Sequence, residues 1–115
     1  MSADRHSTLI VARMDAASSA DVAGLFAEFD QGEMPGLMGT RRRQLFRYRG
    51  LYFHLQDFDG GEGAERIEAA KGRAEFVRIS ADLKPFITAY DPETWRSPKD
   101  AMAERFYHWS AEQSG

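Results

Sequence analysis

Polar and apolar side chains alternate along residues 40 to 58, TRRRQLFRYRGLYFHLQDF, and this period of two predicts a single β-hairpin. Arg42, Gln44, Phe46 and Tyr48 share one parity, Arg43, Leu45 and Arg47 the other, and Arg49-Gly50 supplies a two-residue turn. That turn sets Tyr48 opposite Leu51, Phe46 opposite Phe53 and Gln44 opposite Leu55. The aromatic residues of both arms then gather on one face, which is expected to be the buried one. The other face carries Arg43, Leu45, Arg47, Tyr52, His54 and Gln56, with Arg43 and His54 as diagonal neighbours roughly 7 Å apart at Cα.

Around the hairpin the pattern continues. Residues 7 to 14, STLIVARM, form an apolar, β-branched run that predicts strand one. Ser18 and Asp21 resemble a capping box, and Val22, Leu25, Phe26 and Phe29 recur at helical spacing, predicting helix one over 19–31, before the Gly32 and Pro35 breakers. Residues 59 to 63, DGGEG, read as a connector. Residues 64–71 favour helix, Gly72 interrupts, and Phe76, Ile79, Leu83 and Phe86 resume a stripe near Pro85, so two helical pieces are expected. Residues 88 to 101, with two prolines, read as a long ordered loop, and Met102 to Trp109 as strand four.

The resulting order, βαββαβ, is that of an α+β, ferredoxin-like domain: a four-stranded antiparallel sheet with its helices on one face. The domain is expected over 6–109, with tails at 1–5 and 110–115. The face carrying Arg43 and His54 is expected to lie away from the helices, and Leu45 and Tyr52 make it too apolar to stand bare. A homodimer of the α+β barrel type, sheet against sheet, would cover it, leaving a cavity in each subunit. On this expectation, either group turned toward the helices would end the pairing.

Composition narrows the function. The 115 residues suit one domain, and a formal charge of −3 outweighs the local Arg41-Arg42-Arg43 run as an argument about nucleic acid. There is no cysteine, so no disulfide or thiolate chemistry, and His6, His54 and His108 lack the spacing of a zinc motif. No phosphate cradle, serine-nucleophile motif or nucleotide fingerprint is present, so no cofactor and no metal are expected. The one apolar run near the N-terminus is too short for export or for spanning a membrane, which makes the expected location the cytoplasm.

His54 is the candidate acid/base, since imidazole titrates near neutrality; the plain alternative is a structural strand histidine. Arg43 on the same face is suited to hold a carbonyl or enolate oxygen, against the alternative of an ion pair with Glu33 or Asp57. Asp30 ends helix one, where a carboxylate opposes the macrodipole and needs a compensating partner such as Arg43. Arg41, Arg42, Arg47 and Arg49 read as solvated or ion-paired. Met14, Met34, Met38 and Met102 read as gap-filling residues, and Trp95 and Trp109 either line a cavity or anchor the chain.

Several blocks in order, RMD at 13–15, LFAEFD, the hairpin, LKPFITAYDP and RFYHW, together resemble the aromatic polyketide cyclases of the tetracenomycin F2 cyclase family, in particular members from spore-pigment clusters. The resemblance spans nearly the whole chain. It implies a cofactor-free, dimeric ferredoxin-like enzyme that closes and dehydrates rings in a poly-β-ketone, free or carrier-bound, working beside polyketide synthase components. It also implies catalytic positions at Asp30, Arg43 and His54, with His54 moving protons, Arg43 holding the oxygen and Asp30 orienting them. Phe29, Leu45, Tyr52 and Trp109 are the expected substrate contacts. Phe29 stands where the family's type member has histidine. Two other readings stay open: a non-catalytic chaperone that steers cyclisation, and a cofactor-free quinone-forming monooxygenase on the same scaffold. Substrate length and the ring closed are not legible in the sequence.

Overall fold

The computed structural model describes residues 6–60, 63–96, 98–109 and 111. Its elements are β1 (His6–Met14), α1 (Ser19–Asp30), α2 (Met34–Met38), β2 (Thr40–Tyr48), β3 (Leu51–Phe58), α3 (Gly63–Ala70), α4 (Ala74–Leu83) and β4 (Ile87–Ala89), with short 3-10 turns at Ala16–Ser18 and Pro98–Ala101. The strands pair antiparallel in the order β2-β3-β1-β4, the ferredoxin-like topology. Of the expected tails and connector, residues 1–5, 110, 112–115, 61 and 62 lie outside the described residues. No helix among those described is long and apolar enough to cross a membrane.

The hairpin has the expected register, with Tyr48 opposite Leu51, Phe46 opposite Phe53 and Gln44 opposite Leu55. Arg49 (φ 49) and Gly50 (φ 81) are both left-handed, the mirror-image turn whose twist matches the flanking strands. The same register continues to Arg43 opposite Gln56 and Arg42 opposite Asp57, and an irregularity between Thr40 and Arg42 then shifts the pairing by one residue, setting Thr40 opposite Phe58.

Helix α1 starts at Ser19, but not through the expected capping box. Ser18 has φ −87 and ψ −3, outside the extended region an N-cap needs, and its side chain makes no cap bond. Asp15 does the capping instead: its carboxylate accepts from the Ala17 N–H at 3.1 Å and starts the 3-10 turn. Pro35 is not a breaker. It sits in the first turn of α2, where its fixed φ suits a helix start, and Gly39 (φ 75) closes that helix in the left-handed conformation. The second helical region splits at residues 71–73, as Gly72 predicts.

Strand four is elsewhere than expected. Residues 102–109 form no strand: Met102 makes one isolated bridge to Ile10, the Ala103 N–H donates to the Leu9 carbonyl at 2.7 Å, and Phe106, Tyr107 and Trp109 are exposed. The edge strand is Ile87–Ala89, at the start of the segment read as loop, and it pairs with Ala12–Met14. The outer edge of β1 is thus taken by β4 at one end and Met102 at the other. After that bridge the alternating residues turn away from the sheet, so their pattern is not used for pairing within the described chain.

The two sheet faces are also reversed. Met14, Ala12, Tyr52 and Phe58 belong to the buried core, packed beneath Val22 and Phe26 of α1, Ile67 of α3 and Ile79 of α4. The parity carrying Tyr52, His54 and Gln56 is therefore the helix-covered one. The aromatic parity expected inside faces outward, with Phe46 and Tyr48 exposed and Leu51, Phe53 and Leu55 half-buried. Both faces of this sheet are apolar. Counting aromatics in the hairpin could not decide which of them α1 covers.

Candidate active site

Arg43 is the centre of a buried polar network. Its side chain is 7% exposed, and its Nε donates to both carboxylate oxygens of Asp30, at 3.1 and 3.0 Å, while Nη2 donates to Asp30 Oδ1 at 2.6 Å. This ion pair neutralises the carboxylate at the unfavourable end of α1. Nη1 donates to Gln56 Oε1 at 2.8 Å and meets His54 Nε2 at 3.0 Å. The guanidinium has only donors, so Nε2 accepts and the ring proton sits on Nδ1. Gln56 Nε2 in turn donates to Thr40 Oγ1 at 3.2 Å. The guanidinium also lies over the Phe26 and Phe29 rings, 5.0 and 5.5 Å from their centroids. Of the five N–H groups, four are engaged and one, on Nη2, has no partner among the described residues.

His54 lies beside Phe26, ring centroids 5.1 Å apart, and edge-on to Tyr52 at 6.3 Å. Burial first, and the neighbouring Arg43 charge second, push its pKa down to about 3; a hydrogen bond with Gln56 opposes them. The imidazole is therefore neutral, with its basic lone pair occupied. Burial pushes the Tyr52 phenol far above its usual value, and the Arg43 charge only partly offsets this.

These groups open on a cavity of about 630 Å³ between the sheet and the helices. Its wall runs from Arg43 on β2 to Ala89 on β4, three strand spacings or roughly 14 Å. Phe26 and Phe29 of α1, Met38, Ile67, Phe76 and Leu83 make it apolar, and Lys71, Lys84 and Arg96 stand exposed at its rim. Among the described residues no three His, Cys, Asp or Glu side chains gather as metal ligands would.

Arg43 and His54 face the helices, the orientation expected to part them, and yet they share one hollow, because the space under α1 and α4 is not filled with packed core. Phe29 and Tyr52 line that hollow. Asp30 is not part of its wall and stands behind Arg43; Leu45 packs on the core beside Tyr52 and Phe26 without lining the cavity. Trp109 is 71% exposed and away from it, whereas Trp95 is in the wall. Asp57, a suggested partner of Arg43, instead takes Arg42 at 3.3 Å and Ser7 at 2.7 Å. Arg47 donates to Ser19 Oγ and Arg49 lies over the Tyr48 ring. Gln56 is the residue that sequence reasoning left without a role; the register places it directly opposite Arg43, and that was the available signal.

The chain matches a family described as polyketide synthesis cyclase over residues 6–110. It is 45% identical to the polyketide synthase CurG of Streptomyces cyaneus, over 90% of this chain and 96% of that one. It is 40% identical to the tetracenomycin F2 cyclase of Streptomyces glaucescens, over 92% and 95% of the two chains. The solved structure of that cyclase, a type-II polyketide cyclase, superposes with a TM-score of 0.85 at 37% identity, covering 93% of this chain and 99% of its own. SnoaB, a cofactor-independent oxygenase from Streptomyces nogalater, shares the fold alone: TM-score 0.55 at 18% identity, over 75% and 86%. With the family match, the fold and nearly the full length in agreement, this chain belongs to the polyketide synthesis cyclase family.

Proposed function

We propose that the protein is an aromatic polyketide cyclase that performs a regiospecific intramolecular aldol closure and dehydration on a poly-β-ketone intermediate of pigment or antibiotic biosynthesis. The observation that carries this reading is Arg43: a cation held on three sides at the wall of an apolar cavity, with one N–H free for a substrate oxygen. A methylene between two carbonyls is already acidic. Hydrogen bonding of one carbonyl to a guanidinium in a dry site stabilises the enolate as it forms, an effect worth about 3 kcal/mol for a preorganised donor. The carbon attacks a second carbonyl of the same chain, and loss of water from the aldol product aromatises the ring. The apolar walls restrict how the chain folds, which selects the carbonyl attacked and raises the rate through proximity.

His54 does not move the proton in this scheme. Neutral, with its lone pair on Arg43, it is too weak a base, and it serves with Asp30 and Gln56 to hold the guanidinium in place. The methylene proton passes to water at the cavity mouth. The experiment is reconstitution with the partner polyketide synthase, comparing products of the wild type and Arg43→Lys. An ammonium has three N–H groups on one point, which Asp30, His54 and Gln56 would occupy in full, leaving none for the substrate oxygen, so ring closure slows roughly 10²- to 10³-fold. Unchanged rate and products with Arg43→Lys, alongside a product profile that responds to cavity-filling changes at Phe29, support the chaperone reading instead.

The working unit in this proposal is a homodimer. The outward face holds Leu9, Val11, Phe46, Tyr48, Leu51, Phe53 and Leu55, and Phe106, Tyr107 and Trp109 leave the domain largely exposed. A second copy covers both.

A further inference from the structure

One polar group in the cavity has no place in the network around Arg43. Tyr52 is 3% exposed, on β3 two residues before His54 and on the same face, and it lines the cavity. Among the described residues its hydroxyl has no hydrogen-bond partner, and unlike Thr8 Oγ1 it is not fully enclosed. A buried phenol without a partner is costly unless something in the hollow accepts from it. Its ring stands edge-on to His54, whose Nε2 meets the guanidinium of Arg43.

We propose that the Tyr52 hydroxyl is a catalytic hydrogen-bond donor, forming with the free Nη2–H of Arg43 the pair that holds the oxygen on which negative charge develops during ring closure. This deepens the cyclase reading and rests on it. Arg43 alone offers one N–H, and an enolate or alkoxide oxygen has lone pairs for at least two donors. The phenol donates without giving up its proton. Burial keeps it un-ionised across the working pH range, so the donor is always present. No bond to the protein forms or breaks, and the substrate supplies every atom of the water lost.

Tyr52→Phe removes the oxygen and nothing else, so the packing beside Phe26 and Ala12 survives. Two measurements on the purified protein decide the matter. The first is kcat and KM for ring closure: kcat falls about 10²-fold or more, with KM changed little. The second is binding of 4-nitro-1-naphthol, a flat phenol coloured when ionised, against its neutral methyl ether. The wild type favours the naphtholate anion, and Tyr52→Phe loses roughly 10- to 100-fold of that preference. A variant with wild-type kcat, or with unchanged preference for the naphtholate, overturns the proposal. If the wild type accelerates no ring closure, the cyclase reading itself falls, and equal naphtholate preference in the two proteins then removes the donor role as well.

Discussion

Acidification tests the state of His54 directly. The unfolded chain binds a proton at this residue near the ordinary value of 6.5, whereas the folded chain resists protonation down to about 3. The unfolded state therefore holds more protons between those limits. Stability from this residue is complete above pH 6.5, falls by about 1.4 kcal/mol per unit as pH drops through the window, and stops falling below about 3. From pH 7.5 to 4.5 the loss from His54 alone comes to about 2–3 kcal/mol. Carboxylates titrate in the same range, so the comparison is with His54→Gln, which keeps an acceptor for Arg43 but carries no titrating group. Urea unfolding of both proteins, followed by tryptophan fluorescence at one protein concentration because association adds to stability, gives the difference. The wild type loses about 2–3 kcal/mol more than the variant over that interval. Parallel pH dependence in the two proteins would mean that folded His54 takes a proton near neutrality, and the argument for a neutral, lone-pair-bound imidazole would fail.

The same imidazole leaves no mark on turnover: the pH profile of kcat runs without a His54 limb near 6.5, and a limb that disappears in His54→Gln restores its proton-moving role. Gln56→Leu strands a buried Arg43 N–H and takes the donor from the half-buried Thr40 hydroxyl, costing about 1–3 kcal/mol of stability by urea titration; an unchanged midpoint refutes the network. Gly39→Ala forces a side chain onto φ 75 and into the Arg66 guanidinium, which bonds the Met38 carbonyl and Asp59, so thermal unfolding shows a loss of roughly 1–3 kcal/mol, and a neutral effect is the contrary result. Phe53→Arg, at the middle of the outward face, turns the dimer into a monomer by light scattering without changing the fold by circular dichroism; a wild type already monomeric at micromolar concentration ends that proposal.

Local chemistry was enough for much of this molecule. The parity of the hairpin, the Arg49-Gly50 turn and the cross-strand register followed from spacing and from the left-handed preference of the turn, and they brought Arg43, His54 and Gln56 to one face before any coordinates. The break near Gly72 and the span of α1 were legible for the same reason: backbone preference is decided over a few residues. What covers a face is not. Both parities of β2 and β3 are apolar enough to be buried, so only the packing of Val22, Phe26 and Ile79 chose the His54 side. Strand four escaped because pairing, and not alternation alone, makes a strand: three residues at Ile87–Ala89 pair with Ala12–Met14, while the alternating residues after Met102 leave the sheet after one bridge to Ile10. The chemistry of His54 was likewise settled in three dimensions. Imidazole as a residue type suggests a base near neutrality, and burial beside Phe26 with a guanidinium on Nε2 makes it a neutral support for Arg43.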